Sequence, residues 1–202
     1  MRKLDLTIRQ GSTWILPVMW ETNVLVYKPI TAIAQSAPVR ITATAHGLPD
    51  GWNAAVMGAL GMTDLNAENN PPKDAEFRPA TVVSADDVEF NPINAARFKA
   101  YQSGGHLVYY APGELAGAVV RMQIKDKVGG NVLHTLRSDG ANPNITFDLA
   151  KSRIVLRIEA EESAGFAWKA GVYDLEIADA AGVVTPLLYG AVAVTREVTT
   201  IT

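Results

Sequence analysis

The chain has 202 residues, of which 48% are hydrophobic and 19% charged, so its composition is that of a folded protein with a packed core. Its net charge of −3 supplies no basic face for nucleic acid. No apolar run approaches the roughly 20 residues of a membrane-spanning helix. The absence of cysteine excludes disulfides, thiolate metal ligands and thiol catalysis. The N-terminus lacks the apolar segment of a signal peptide, so we expect synthesis in the cytoplasm.

The N-terminal region predicts two β-strands, at residues 4–9 and 14–21, joined by a turn. Pro17 cannot donate a ladder hydrogen bond, which favours an edge strand or a bulge at that position. Trp14 and Trp20 lie six residues apart, so an undistorted strand directs both to one face, and core packing is their expected role. Because a two-stranded hairpin is marginal in water, these strands need partners from the C-terminal part of the chain.

The middle of the chain differs from its two flanks in sequence pattern. The helical candidate at residues 93–101 is about two turns long, which is marginal without tertiary support. Both flanks of the segment carry a proline beside an aromatic residue, as suits a chain that leaves and re-enters one edge of a domain. We therefore predict an inserted domain, since insertions in exposed loops are well tolerated. Its predicted strands include residues 39–43, 81–84 and 88–90.

The last third of the chain alternates short strands with turns, a spacing typical of β-sandwiches and barrels. Its predicted strands are residues 119–125, 132–136, 145–149, 153–158, 171–177, 186–190 and 191–195. The predicted fold class is therefore all-β: an immunoglobulin-like β-sandwich made of residues 1–30 and 111–202, split by a small β-barrel domain of residues 31–110.

The predicted insertion resembles a known module. Residues 41–66 follow the order strand, His-Gly-Leu, Asp-Gly, strand, Gly-Met, Leu-Asn, and the pattern continues through residues 77–90 to a close at 100–105. This is similar to the small β module of tailed-phage proteins that is named after the first-catalytic-cysteine-half domain of ubiquitin-activating enzymes. The resemblance implies a small β-barrel. It does not imply thioester chemistry, because the chain has no cysteine.

The flanking sandwich carries four further motifs, at residues 8–13, 115–125, 171–177 and 187–199. In this order they resemble the N-terminal domain of phage baseplate upper proteins and related tail-fibre attachment proteins. The resemblance implies a structural virion protein at the tail tip or baseplate, which connects the tail to fibres or receptor-binding proteins. Its expected partners are other tail or baseplate proteins and further copies of itself, in a trimer or ring. Family members often continue into a long shaft or receptor-binding region, whereas this sequence ends at Thr202. We therefore expect a stand-alone adaptor.

Candidate catalytic and metal-binding residues are few. His46 could be a metal ligand or a base, but we expect its imidazole to bond backbone at a tight turn whose positive φ falls on Gly47. The pairs Asp50-Gly51 and Asp86-Asp87 could hold calcium, yet both fit turns between strands. We predict no catalytic residue, no metal and no cofactor, and hence not an enzyme.

An alternative activity is glycan hydrolysis, which uses paired carboxylates. Glu159, Glu161 and Glu162 lie in one run, and Asp174 follows on a predicted strand. In this hypothesis Glu159, Glu161 or Asp174 would act on a polysaccharide. We favour a solvated turn for the run, because it lies between a strand and Gly165.

The predicted interface residues are large aromatics at loops, which often anchor interfaces, and β-prone positions of the tail, which could pair as an edge or exchanged strand. They are Trp52, Trp168, Tyr101, Tyr109, Tyr110, Val198 and Ile201. Core or loop packing is the alternative for the aromatics, and a frayed terminus for the tail. A second functional hypothesis makes the barrel a receptor- or glycan-binding module, with Trp52, Tyr101, Tyr109 and Tyr110 as stacking surfaces.

Overall fold

The computed structural model describes residues 2–197, which form sixteen β-strands and one short α-helix. The strands are β1 (Arg2–Lys3), β2 (Leu6–Arg9), β3 (Trp14–Met19), β4 (Glu21–Pro29), β5 (Ala32–Ala34), β6 (Val39–Thr42), β7 (Trp52–Met57), β8 (Arg78–Val82), β9 (Asp87–Phe90), β10 (His106–Pro112), β11 (Val119–Lys125), β12 (Val132–Arg137), β13 (Ile145–Asp148), β14 (Arg153–Ile158), β15 (Ala170–Ala178) and β16 (Val184–Thr195). The helix α1 is Ala160–Ala164, and 3-10 turns lie at Thr63–Leu65, Asp74–Glu76 and Leu149–Lys151. The predicted all-β class is confirmed. Within residues 2–197, no helix combines the length and apolar character needed to cross a membrane.

The chain divides into two compact units. The first contains the described residues up to Trp20 and from Glu114 onward, and the second is Glu21–Gly113. The predicted boundary after residue 30 is therefore corrected to Trp20. The reason is that β4 forms an antiparallel ladder with β10, from Pro29 opposite His106 to Leu25 opposite Tyr110, and after a register shift to Glu21 opposite Pro112. Residues 21–30 thus complete the sheet of the second unit.

The first unit is a sandwich of two sheets around one core. The larger sheet has the order β1, β16, β15, β11, β12, with β2 also on β16, and the smaller has the order β13, β14, β3. Alternate residues of β11 and β14 are fully buried between the sheets. Each such side chain contributes roughly 1.5–3 kcal/mol by burial. The core residues of these two strands are Val120, Met122, Ile124, Ile154, Leu156 and Ile158.

The N-terminal strands find their partners in the C-terminal part of the chain, as predicted. Strand β2 pairs in parallel with β16, and β3 pairs antiparallel with β14. Strand β3 is the outer strand of the smaller sheet, which confirms the edge position predicted from Pro17. Trp14 and Trp20 both pack against the sandwich core.

Strand β16 is one continuous strand of twelve residues, where the sequence predicted two with a break at Gly190. Gly190 is needed for a close backbone approach: a Cβ there would lie 2.2 Å from the carbonyl oxygen of Leu4. The same segment is held by the Tyr173 hydroxyl, which donates to the Leu4 carbonyl at 2.7 Å, and by Asp5, which accepts from the Ala191 N–H at 2.9 Å.

The second unit is a seven-stranded antiparallel sheet in the order β4, β10, β7, β8, β9, β6, β5. Strand β7 is buried along almost its whole length, and Trp52, Phe90 and Leu107 are among the fully buried side chains. The helix predicted at residues 93–101 is not formed. The Ala95 N–H donates instead to the Ser36 carbonyl at 3.0 Å, and the segment forms only turns. The helix that does form, α1, covers the acidic run predicted as a solvated turn.

Candidate interaction site

The motif residues of the second unit hold its turns. His46 is buried; its Nδ1 accepts from the Leu48 N–H at 2.9 Å, and its Nε2 lies 3.0 Å from the Ser84 carbonyl oxygen. These two contacts fix the neutral tautomer with the proton on Nε2. Gly47 has φ 67°, so the predicted turn and its bonding are confirmed. Both ring nitrogens of His46 therefore contact backbone groups of the same unit.

The aspartates of the second unit have similar roles. Asp50 accepts from the Val82 N–H at 3.1 Å, and Asp86 accepts from the Ala45 N–H at 2.7 Å. Asp87 accepts from the Thr42 hydroxyl at 2.7 Å and from the Ser84 hydroxyl at 3.1 Å, and these bonds lower its pKa. Across residues 2–197, no three or more of His, Asp and Glu are grouped as metal ligands would be.

The carboxylates proposed for glycan hydrolysis are separated by the fold. Glu159 precedes α1 and forms an ion pair with Arg157 at 2.5 Å, which lowers the pKa of Glu159. Glu161 lies in the first turn of α1, whereas Asp174 is exposed on β15. Asp174 pairs across the sheet with Gln123 and Tyr189, so no acid faces it in the ladder.

The predicted aromatic interface residues of the second unit mostly pack inward. Trp52 is fully buried, and its Nε1–H donates to the Tyr110 carbonyl at 2.8 Å. Tyr109 is buried, with its hydroxyl on the His46 carbonyl. Tyr101 is half-buried and its hydroxyl donates to the backbone of its own unit. Trp52 and Tyr109 are therefore wrong as surface anchors, because both lie on strands, β7 and β10, with their side chains buried in the core.

The remaining predicted residues divide between packed and undescribed positions. Tyr110 is half-buried beside Phe77, with ring centroids 5.4 Å apart. Trp168 is half-buried and stacks on Phe166 at 5.0 Å, against the sandwich core. It lines a depression of about 240 Å³ with Gln10 and Lys169. Val198 and Ile201 lie outside the described residues.

The structure places an exposed apolar row at one end of the larger sandwich sheet. Val119, Ala178 and Val184 are direct cross-strand neighbours on β11, β15 and β16, so their side chains share the outer face. Val184 is 57% exposed, and Val183, just before it, is 59% exposed. We call Val119, Ala178, Val183 and Val184 the valine row.

The loops that carry the valine row are held firmly. The Asp179 carboxylate accepts from the N–H groups of Ala181 and Val183, both at 2.9 Å, which closes the turn between β15 and β16. Gly182 supplies the positive φ of 80° that this turn requires. On the neighbouring loop, a Cβ on Gly117 would lie 3.3 Å from the Ala180 Cβ, so the two loops are close-packed. The turn that carries Val183 and Val184 is thus braced by hydrogen bonds and by the neighbouring loop.

A polar rim borders the valine row. In the next outward-facing row, Arg121 lies opposite Glu176 and forms an ion pair with Asp139 at 2.7 Å. The guanidinium lowers the pKa of the Asp139 carboxyl. An apolar centre with a charged border is the usual anatomy of a protein–protein contact. Sequence reasoning missed these valines, although Val183 and Val184 directly follow Ala181-Gly182, a dipeptide typical of a turn, where a strand end is exposed.

Comparison with known proteins adds no name to this geometry. No family model matches the chain, and no curated protein matches its sequence significantly. The resemblance to phage tail-attachment domains therefore rests on the motifs quoted above.

Proposed function

We propose that this chain is a structural protein of a tailed-phage virion, located at the tail tip or baseplate, where it connects the tail to fibres or receptor-binding proteins. The motif resemblance supplies the virion context. The observation that carries the proposal is the valine row: an exposed apolar surface on a hydrogen-bonded turn, with a polar rim. Apolar patches of this kind on a folded domain mark contacts with other proteins.

The polar side chains support the same proposal. The imidazole of His46 and the carboxylates of Asp50, Asp86 and Asp87 bond to groups of their own unit, where they fix turns. Glu159 is neutralised by Arg157. What the chain offers to a partner is therefore shape and apolar surface, as a connector requires.

The receptor- or glycan-binding alternative has less support. It needs aromatic faces on the surface of the second unit, because sugars bind by stacking on them. Trp52 and Tyr109 are buried, and the Tyr101 hydroxyl is used by backbone. We therefore retain the connector as the function.

The proposal predicts that a charge in the valine row blocks incorporation into particles. Val184→Asp would bury an unpaired carboxylate in the contact, so we expect the variant chain in purified particles to fall roughly tenfold or more, at normal expression. Quantitative mass spectrometry of particles from a complemented deletion of the gene measures this. Val128→Asp is the matched control, since Val128 is 90% exposed in the β11–β12 turn at the other end of the sheet, and it should incorporate normally.

Labelling of wild-type particles with an antibody against the chain locates it. We expect label at the tail tip or baseplate. Absence of the chain from purified particles, or label on the capsid, would contradict the proposal. Normal incorporation of Val184→Asp would show that the valine row is not the contact surface.

A further inference from the structure

Strand β4 is an edge strand of unusual length and character. It is nine residues long, and among the described strands it pairs only with β10. Its centre is the apolar sequence Val24-Leu25-Val26-Tyr27, with Val24 63% and Tyr27 45% exposed. A long apolar edge with unpaired backbone groups is a template for pairing with another chain, and proteins normally block it.

The other sheet edges in the described part of the chain are blocked or short. Strand β3 carries Pro17 at its centre. Strands β5 and β13 have three and four residues. Strand β12 is covered in part by Asn144, whose side chain accepts from the Arg137 N–H at 2.7 Å. Strand β4 has no proline before its last residue, Pro29, and its ladder to β10 is regular from Leu25 to Pro29, with a register shift only between Leu25 and Glu21.

The hydrogen-bond register shows which backbone groups of β4 face outward. The Ile30 N–H bonds to the Gly105 carbonyl at 3.0 Å, in line with the ladder to β10. Backbone groups alternate sides along a strand. Lys28 and Val26 therefore face β10, whereas Tyr27 and Leu25 present their N–H and C=O groups to the free edge. Beyond Leu25 the register to β10 shifts, and the Val24 N–H bonds to the Thr22 hydroxyl oxygen at 3.3 Å. Pro29, which has no N–H, also falls on the outward side.

We propose that the occupant of this edge is β4 of a second copy of the chain, paired antiparallel about a two-fold axis at Leu25. Antiparallel pairing across outward-facing residues allows this register, which places Leu25 opposite Leu25 and Val24 opposite Val26. The apolar centre of β4 in one copy then lies beside the same residues of the second copy. The acidic end at Glu21 lies beside the basic end of its partner at Lys28, whereas parallel pairing would bring like ends together. The contact is isologous, so it closes as a pair and is independent of the proposed virion role.

A cysteine scan tests this register directly, because the chain has no cysteine of its own. Opposed residues of a hydrogen-bonded antiparallel pair have Cα atoms about 5.5 Å apart, which lies within the range of about 4.4–6.8 Å that a disulfide spans. Under mild oxidation we expect Leu25→Cys to give a covalent dimer as the main product. Val128→Cys is the control: Val128 is far more exposed, so random collision would cross-link it more readily than the half-buried Leu25.

The unmodified chain gives a second, independent measurement. Sedimentation at rising concentration should show a species of twice the 21.7 kDa chain mass. Hydrogen exchange of the outward amides of Leu25 and Tyr27 should slow as concentration rises. Leu25→Pro removes one outward N–H and no bond to β10, so it should shift the dimer dissociation constant at least tenfold, whereas Leu25→Ala should shift it less.

Three results would overturn the proposal. The first is a monomer at all concentrations with rapid exchange at Leu25 and Tyr27. The second is equal cross-linking of Leu25→Cys and Val128→Cys. The third is a trimer or ring that persists in Leu25→Pro, since that association would use another surface.

Discussion

His134 is a titratable side chain held in an apolar setting. It lies on β12, its ring centroid is 5.0 Å from that of Phe166, and its side chain is mostly buried. Burial lowers its pKa, and Glu162, whose Oε1 is 3.6 Å from Nε2, opposes this only in part. The sandwich therefore holds a neutral imidazole next to its core.

This depressed pKa makes stability depend on pH. In the unfolded chain the imidazole takes up a proton near its ordinary pKa of about 6.5, whereas in the folded chain it resists protonation. The free energy of unfolding should therefore fall as pH drops below that value towards the folded-state pKa. Urea unfolding at pH 7.5 and 5.5 measures the change, which His134→Gln should reduce. His106→Gln, at an exposed histidine, should keep the wild-type dependence; an unchanged dependence in His134→Gln would contradict the assignment.

Among the turns between strands, two glycines of the inserted unit differ in why a side chain is excluded. Both have a positive φ, but only one also lies too close to neighbouring backbone for a Cβ. Gly47 and Gly61 have φ of 67° and 86°. A Cβ on Gly47 meets nothing closer than the Tyr109 hydroxyl at 4.0 Å, whereas on Gly61 it would lie 2.1 Å from the Ala100 carbonyl oxygen. Gly61 is thus where two loops of the unit touch.

Alanine substitution should distinguish the cost of the positive φ from the cost of displacing backbone, as losses in the free energy of unfolding. Both variants adopt an unfavourable φ, at about 1–2 kcal/mol, but only Gly61→Ala must also displace backbone, which adds roughly 1–3 kcal/mol. Urea midpoints give the comparison, with Gly129→Ala (φ 72°, nothing within 4 Å) as a second control for φ alone. Equal losses for Gly47→Ala and Gly61→Ala would show that the loop contact is dispensable.

The elements also show what the sequence can and cannot predict. Alternation located the C-terminal strands well, and β11 and β14 have the predicted bounds. Gly190 was interpreted as a strand end, because a glycine needed for close approach looks the same in sequence as one needed for a turn. The valine row escaped prediction for a related reason: it arises from the register of β11 against the β15–β16 pair, which is distant from β11 in sequence.

At the scale of the whole molecule, the two units have separate cores. The sandwich core draws no residue from the segment 21–113. Glu21 and Pro112 are opposed in a ladder, so the insertion begins and ends on adjacent strands about 5 Å apart. The prediction of a nested chain order came from motifs at its flanks, but the flanking strand β4 itself was assigned to the wrong unit, since its ladder partner is far away in sequence.

Removal of the insertion should therefore leave the sandwich folded. We expect a chain in which a short Gly-Ser linker replaces residues 21–113 to retain β-type circular dichroism and a single cooperative urea transition. Its denaturant slope should fall in proportion to the surface no longer exposed on unfolding. A non-cooperative transition would contradict the separation of the cores.

The parallel pairing of β1 and β2 with β16 has a consequence for synthesis. The ribosome makes β1 and β2 before the whole inserted unit and their partner β16 after it, so these two strands remain unpaired while the residues between them are made. Every strand of the inserted sheet, in contrast, has its ladder partners by residue 112. Domains fold as units while the chain emerges from the ribosome. We therefore expect the insertion to fold first, and β1 and β2 to pair with β16 last.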